Sequence, residues 1–263
     1  MLEPLHHLIR CGESAAKPHG NVRKVQSIAM PDLSPQDFEF VLGTGIGDGS
    51  FGLANTLSGG KIYKYPRISI THGINQFQYL EWKADRLNTI FSRSTKLKRV
   101  YKKESRKGWK DFEGYCYRFV HSRLLPFYEL FYCGQQKEKI ITSKCLNYLG
   151  PASIGLLYMD DGSGGLYLEK NNRKLKSGWK TYEYIVPRIE FATNGYDTNS
   201  VNLLAKWITH VSGCQTGFKK KSNRIRIVQQ DCYKFRDFIA AYVPVDCMQY
   251  KLDLETVKSQ ASP

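Results

Sequence analysis

Two stretches of the chain share one form, and together they constrain the fold more than any other feature. The first is Phe40-Val41-Leu42-Gly43-Thr44-Gly45-Ile46-Gly47-Asp48-Gly49-Ser50, and the second is Ile154-Gly155-Leu156-Leu157-Tyr158-Met159-Asp160-Asp161-Gly162-Ser163. Each is an apolar run that stops at Asp-Gly-Ser. Gly43 and Gly47 are four apart, so in a helix they share one face. Glycine costs a helix roughly 0.8–1 kcal/mol against alanine. Three glycines in five residues are explained by close approach of another backbone, which only a missing side chain permits. Asp48 follows where the helix should end against Gly49. The pattern predicts two helices packed tightly, each delivering a carboxylate to the foot of the contact.

Further markers recur in the same order. Pro66-Arg67-Ile68 in the first half is matched by Pro187-Arg188-Ile189 in the second. Lys139 lies 91 residues after Asp48, and Lys251 lies 90 after Asp161. The elements between them also match. Ser34-Pro35-Gln36-Asp37 reads as a helix start, with Ser34 as N-cap and Pro35 in the first turn. Tyr63–Thr71 alternates like a strand, and Asn75–Phe91 has the apolar spacing of an amphipathic helix. A strand pair is expected at Lys96–Lys103 and Glu113–His121, joined by a basic tip, then a short helix at Leu124–Tyr132. In the second half, Leu166–Glu169 and Tyr182–Thr193 read as strands joined by a basic loop at Lys170–Lys180. A helix is expected at Asn199–Val211, a basic hairpin at Phe218–Val228 and a last helix at Tyr233–Val243. This is an internal duplication: an arm at 1–33, one repeat at 34–146, a second at 147–255, and a tail at 256–263.

The balance of charge narrows the partner. Thirty-nine Lys and Arg stand against 24 Asp and Glu, a surplus of +15 spread along the chain. Such a surplus points to a polyanion, with nucleic acid first. A membrane partner is not expected: no apolar run approaches the roughly 18 residues that span a bilayer, and no basic amphipathic helix stands out. Seven cysteines at irregular spacing form no CxxC pair. They read as reduced thiols of an intracellular protein, organelle or cytoplasm unresolved, without a structural zinc site.

Registered on the final Asp-Gly, the two runs read VLGTGIGDG and IGLLYMDDG, and they resemble the LAGLIDADG motif of homing endonucleases and related maturases. Asn147-Tyr148-Leu149-Gly150-Pro151 and Met248-Gln249-Tyr250-Lys251-Leu252 resemble the single-chain, two-repeat branch of that family. The resemblance covers residues 36–255. It implies an α/β (α+β) protein of two pseudo-symmetric αββαββα repeats with a saddle of antiparallel strands. It further implies a monomeric, site-specific endonuclease cutting both strands of a long double-stranded DNA target, as an intron- or intein-associated enzyme does. Asp48 and Asp161 would be the catalytic acids, meeting at the pseudo-two-fold axis. Two carboxylates so close repel unless something neutralises them. A hard divalent cation does so, and oxygen ligands suit Mg²⁺, with Mn²⁺ or Ca²⁺ able to take the same place. Gly47 and Asp160 are further metal-site candidates; Asp160 reads either as a second ligand or as a helix-terminal acid. Lys139 and Lys251 correspond to the family's lysine beside the active site, which polarises water or offsets phosphate charge.

The two sheets would read DNA in the major groove. Arg67, Arg118, Arg188, Arg224 and Arg226 are candidate base or phosphate contacts. Lys98, Lys102, Lys103, Lys170, Lys174, Lys219, Lys220 and Lys221 are candidate phosphate contacts. Arg67 and Arg188 follow prolines in apolar strands, so a packing role is open for both. The second run departs from the family pattern at Leu156 and Asp160, where small residues usually let the helices touch. Two other readings stand beside the nuclease: an RNA-binding maturase acting on intron RNA, and a DNA-binding protein that has lost cleavage.

Overall fold

Ser34 accepts the Asp37 amide N–H through its hydroxyl, and Pro35 fills a first-turn position that needs no donor. That opens helix α1 (Pro35–Ile46). The computed structural model describes residues 32–58, 61–103, 111–132, 138–175, 178–219 and 222–258. Most of the expected arm, the tip at 104–110, Lys137, Lys220, Lys221 and the end of the tail lie outside them.

After α1 come strands β1 (Ser50–Ser58) and β2 (Lys61–Gly73), helix α2 (Phe77–Phe91), strands β3 (Lys98–Lys102) and β4 (Phe112–Val120), and helices α3 (Leu125–Phe131) and α4 (Ser143–Leu146). The second half runs α5 (Pro151–Asp161), β5 (Gly162–Leu175), β6 (Gly178–Phe191), α6 (Thr198–Ser212), β7 (Thr216–Lys219), β8 (Arg224–Ile227) and α7 (Cys232–Ala240). Each half carries one four-stranded antiparallel sheet, in the orders β1-β2-β4-β3 and β5-β6-β8-β7. The same topology twice is what the duplicated markers predict. Register shows it too: Gly52 opposes Arg67 in the first sheet, and Gly165 opposes Arg188 in the second.

The core lies between the helices and one face of each sheet. Ile68 and Ile70 of β2, Tyr117 and Phe119 of β4, and Ile189 and Phe191 of β6 point into it. Their alternation leaves the intervening residues on the opposite face. No helix among the described residues is long and apolar enough to cross a membrane.

α1 and α5 pack against each other at their glycines. A Cβ on Gly43 would sit 3.0 Å from Leu156 Cδ1 and 3.2 Å from the Ser153 backbone. A Cβ on Gly47 would collide with the Asp160 carboxylate. The bulky Leu156 and Asp160 of the second run are thus accommodated by glycines of the first. Gly155 has another task, since its Cβ would strike Tyr242 near the end of α7. The helix starts are tied as well: Glu39 of α1 accepts the amide N–H groups of Gly150 and Ser153 and the Ser153 hydroxyl. A carboxylate from one helix thereby caps the first turn of the other, where amide donors lack partners.

One expectation is corrected. Lys170–Lys180 is not a loop: β5 and β6 continue into it as a ribbon, paired as far as Leu175 and Gly178. Residues 178–185 are all exposed, so no buried face imposes an apolar alternation, and polar strands of this kind read as a loop. β1 was not expected either; its Ser-Phe-Gly-Leu-Ala-Asn sequence carries little strand signature.

Filling the helix contact tests its role. Gly43→Ile is expected to destabilise the protein by about 1–3 kcal/mol through overpacking, read as a lower urea midpoint at unchanged slope. An unaltered midpoint would show that the two helices do not abut there.

Candidate active site at the paired helix ends

α1 ends at Gly47, whose amide N–H still bonds to Gly43 O, and Asp48 follows at once. α5 ends at Asp161 itself. Packing of the two helices therefore brings Asp48, Asp160 and Asp161 together. Burial raises the Asp48 carboxyl pKa, and the charge of Asp160 raises it further, against the pull of Lys83, Lys251 and Lys139. Asp161 is pushed up to about 7, first by burial and then by the charges of Asp48 and Asp160. Two acids held partly desolvated near a third carboxylate are short of positive charge, which is the condition a divalent cation relieves.

Asp160 is of another kind. Its side chain has no exposure. One carboxylate oxygen takes the Lys83 ammonium at 2.5 Å, and the other accepts the Asp48 amide N–H at 2.9 Å. Burial works to raise its pKa, but Lys83 and the Asp48 amide hold it below the usual carboxylate range. His72 of β2 completes this corner. Its Nδ1 pairs with Gln76 Oε1 at 3.1 Å and lies 3.5 Å from an Asp48 oxygen, while Nε2 lies 3.9 Å from Asp160. Burial, and then Lys83, lower the His72 pKa to about 4, so the ring is neutral at neutral pH. Asp48, His72 and Asp160 each offer a donor atom within 4.8 Å of the others, a grouping of the size a metal ion takes. Lys83 already places a cation there.

Lys139 and Lys251 are brought to matching places. The Lys139 ammonium donates to the carbonyls of Gly45 at 2.8 Å, Gly47 at 3.1 Å and Ile46 at 3.3 Å, at the end of α1. The Lys251 ammonium donates to the carbonyls of Tyr158, Met159 and Asp160, at the end of α5. Lys139 also lies 3.4 Å from the Gly49 carbonyl, so both ammonium groups are enclosed by main-chain carbonyls. Each lysine caps a negative helix end, and its charge reaches across the pair: Lys139 acts more on Asp161 than on Asp48, and Lys251 more on Asp48 than on Asp161. Burial lowers the Lys139 pKa to about 8 and that of Lys251 as well. The carbonyl of Gly47, one metal-site candidate, is among those Lys139 binds.

On the faces turned away from the core, Arg67, Arg118, Lys98 and Lys102 share one side of the first sheet by register, and Lys103 follows β3, exposed. Arg118 donates to Ser69 Oγ at 3.3 Å. In the second sheet Arg188, Arg224 and Arg226 converge on Glu190, and Arg188 also binds Glu169 at 2.7 Å while lying over the Tyr167 ring. Lys219 lies at the end of β7. Lys170, paired with Glu183, and Lys174 fall on the other side of the ribbon from Arg188.

Sequence reasoning missed several residues. Arg173, Lys180, Tyr182 and Tyr184 share the Arg188 side, with Lys180 over the Tyr182 ring at 5.1 Å. Reading Lys170–Lys180 as strand would have found them by alternation. Lys83 sits on the apolar stripe of α2 with Tyr79, Leu80 and Leu87, and His72 continues the inward parity of Ile68 and Ile70. A lysine on a core stripe is a legible signal, since lysine is almost never fully buried unpaired.

Comparison with known proteins gives one family. The model of the family described as "LAGLIDADG DNA endonuclease family" matches residues 38–235. The RecA protein of Mycobacterium gastri is 27% identical over 241 residues, 88% of this chain and 51% of the relative. The RecA protein of Mycolicibacterium chitae is 26% identical over 258 residues, 94% and 54% of the two chains. The chain thus spans about half the length of these curated relatives. Among solved structures, the homing endonuclease I-WcaI bound to its DNA recognition sequence is 19% identical, with a TM-score of 0.60 over 85% of this chain and 88% of that one, which shows a shared fold.

Two outcomes follow from this geometry. Lys139→Met leaves carbonyls at the end of α1 without donors and is expected to cost about 1–3 kcal/mol of stability, measured by denaturant unfolding. Arg173→Ala/Lys180→Ala is expected to weaken duplex binding and to flatten the plot of log affinity against log salt by about 1–2 units, at roughly 0.9 per lost phosphate contact.

Proposed function

This chain belongs to the LAGLIDADG DNA endonuclease family, and from that premise we propose that it is a site-specific endonuclease cutting both strands of a double-stranded DNA target with Mg²⁺. The observation that carries the reading is the pair Asp48 and Asp161, each at the end of one of two abutting helices and near enough that the charge of Asp48 raises the Asp161 pKa, between two sheets with basic outer faces. Binding alone gains nothing from acids there, because carboxylates repel a phosphate backbone.

The donor set fits a hard divalent cation. Asp48 and Asp161 are oxygen donors, raised in pKa by burial and then by neighbouring carboxylates, and Asp48 keeps 37% side-chain exposure. These two would hold the ion. Asp160 is less suited, because both its oxygens are engaged and Lys83 already neutralises it. When bound, such an ion supplies positive charge at the scissile phosphate and lowers the pKa of water. The protein does the rest. Lys139 and Lys251 fix the two helix ends and so the spacing of the acids. Each sheet lies along one half of the target, with Arg67 and Arg118 on one side and Arg188, Arg224 and Arg226 on the other. The glutamates among the second set align those guanidinium groups and can accept from cytosine N4. Both acids come from one chain, so a monomer completes the site.

The test is cleavage of a randomised duplex library with Mg²⁺, followed by recovery of the cut site. Asp48→Asn and Asp161→Asn are expected to lose cutting by at least about a thousandfold while binding the selected duplex. Each is also expected to keep or raise the unfolding midpoint of the metal-free protein, because it removes one of two facing charges. Full cutting by both variants would refute the assignment of the acids.

A further inference from the structure

The two halves are not equivalent at the site, and the difference lies in one residue pair. Gly47 and Asp160 hold corresponding positions, each just before its half's acid. Asp160 reaches across the space that a side chain on Gly47 would fill. It enters the first half, where Lys83 of α2 holds one oxygen and the Asp48 amide N–H the other. Lys83 is itself fully buried, with its ammonium 4.3 Å from the centre of the Tyr79 ring. Its one acidic partner among the described residues is Asp160. Among the described residues no first-half side chain is seen to hold the Asp161 amide in this way, and Gly47, the counterpart of Asp160, has no side chain to do so.

We propose that Lys83 and Asp160 form a positioning pair for Asp48 alone, so that the two acids are set by different means and the two DNA strands respond differently to loss of the pair. The inference rests on the nuclease reading above. Physically, the charge of Asp160 fixes the backbone from which Asp48 springs. Lys83 holds the Asp160 carboxylate in place, although no part of either need touch DNA. A buried carboxylate without its cation would be strongly disfavoured, which explains why a lysine occupies the core stripe of α2.

The experiment uses the selected duplex with a different label on each strand, so that both cleavage rates are read in single turnover. Asp48→Asn and Asp161→Asn first show which strand each acid serves. Asp160→Asn and Lys83→Met are then expected to slow the Asp48-dependent strand at least about tenfold more than the other, with nicked duplex accumulating. Lys83→Met/Asp160→Asn, which removes both charges together and so spares the fold a lone buried ion, should match the single variants rather than multiply them. A readout independent of cutting accompanies these: in metal-free protein the Asp48 amide proton should resonate well downfield, as a donor to a carboxylate, and move upfield in Asp160→Asn and in the double variant. Equal slowing of both strands, no slowing, bias toward the Asp161-dependent strand, or an unmoved amide resonance would overturn the proposal. If neither Asp48→Asn nor Asp161→Asn affects cutting, the assignment of the two acids fails instead; if the parent protein cuts no duplex of the library, the nuclease reading itself fails.

Discussion

Close contact between α1 and α5 is the constraint on which the rest of the molecule depends. At Gly43 the approach is tight enough that an added Cβ would stand 3.0 Å from Leu156 and from the Ser153 hydroxyl. At the other end of the pair, Glu39 of α1 supplies the cap that α5 lacks from its own sequence, since Gly150 has no side chain to offer. The helices are thus joined at both ends, by a polar cap where they begin and by glycine packing where they finish. With the helices fixed, each sheet is fixed beneath its own half, and the acids have one place to be.

That place is electrostatically poor. Three carboxylates converge where two helix C-termini already present partial negative charge. The protein answers with three buried lysines in three different ways. Lys139 and Lys251 bind helix-end carbonyls, and their charges lower the pKa of both Asp48 and Asp161. Lys83 binds one acid outright. The result is selective: Asp160 is held below the ordinary carboxylate range, while Asp48 and Asp161 are left above it. Neutralising one acid and leaving two wanting is how a cluster of like charges becomes a receptor for a cation and not merely a source of instability.

Duplication accounts for the frame and divergence for the site. The Gly52–Arg67 and Gly165–Arg188 register pairs, the two lysine caps and the two sheet orders all repeat. Other parts do not. Tyr196 of the second half donates its hydroxyl to the Ile46 carbonyl of the first, while Asp160 crosses over Gly47 to Lys83. The paired helix ends also differ in backbone: α1 stops at Ile46, two residues before its acid, and α5 runs through Asp161. The second sheet also carries an arginine–glutamate network at Glu190, and the first has no matching set among the described residues.

The sequence by itself determined the duplicated frame, because helix and strand periodicity and the repeated Asp-Gly-Ser, Pro-Arg-Ile and lysine markers are local or evenly spaced. It determined the start of α1 through Ser34 and Pro35, and the close approach through Gly43. It did not show the long β5–β6 ribbon, whose strands are exposed and so carry no burial pattern. Only the tertiary structure decided what each charged group does. Asp160 and Asp161 are neighbours in sequence, yet one turns into the core toward Lys83, 77 residues earlier, and the other, half-buried, makes no such pair among the described residues. Lys139 and Lys251 likewise proved to be helix caps because of which carbonyls lay within reach. Periodicity tells a residue which face of its own element it occupies. Its ionisation and its partners depend on what another element brings against that face, and that is settled only when the two halves meet.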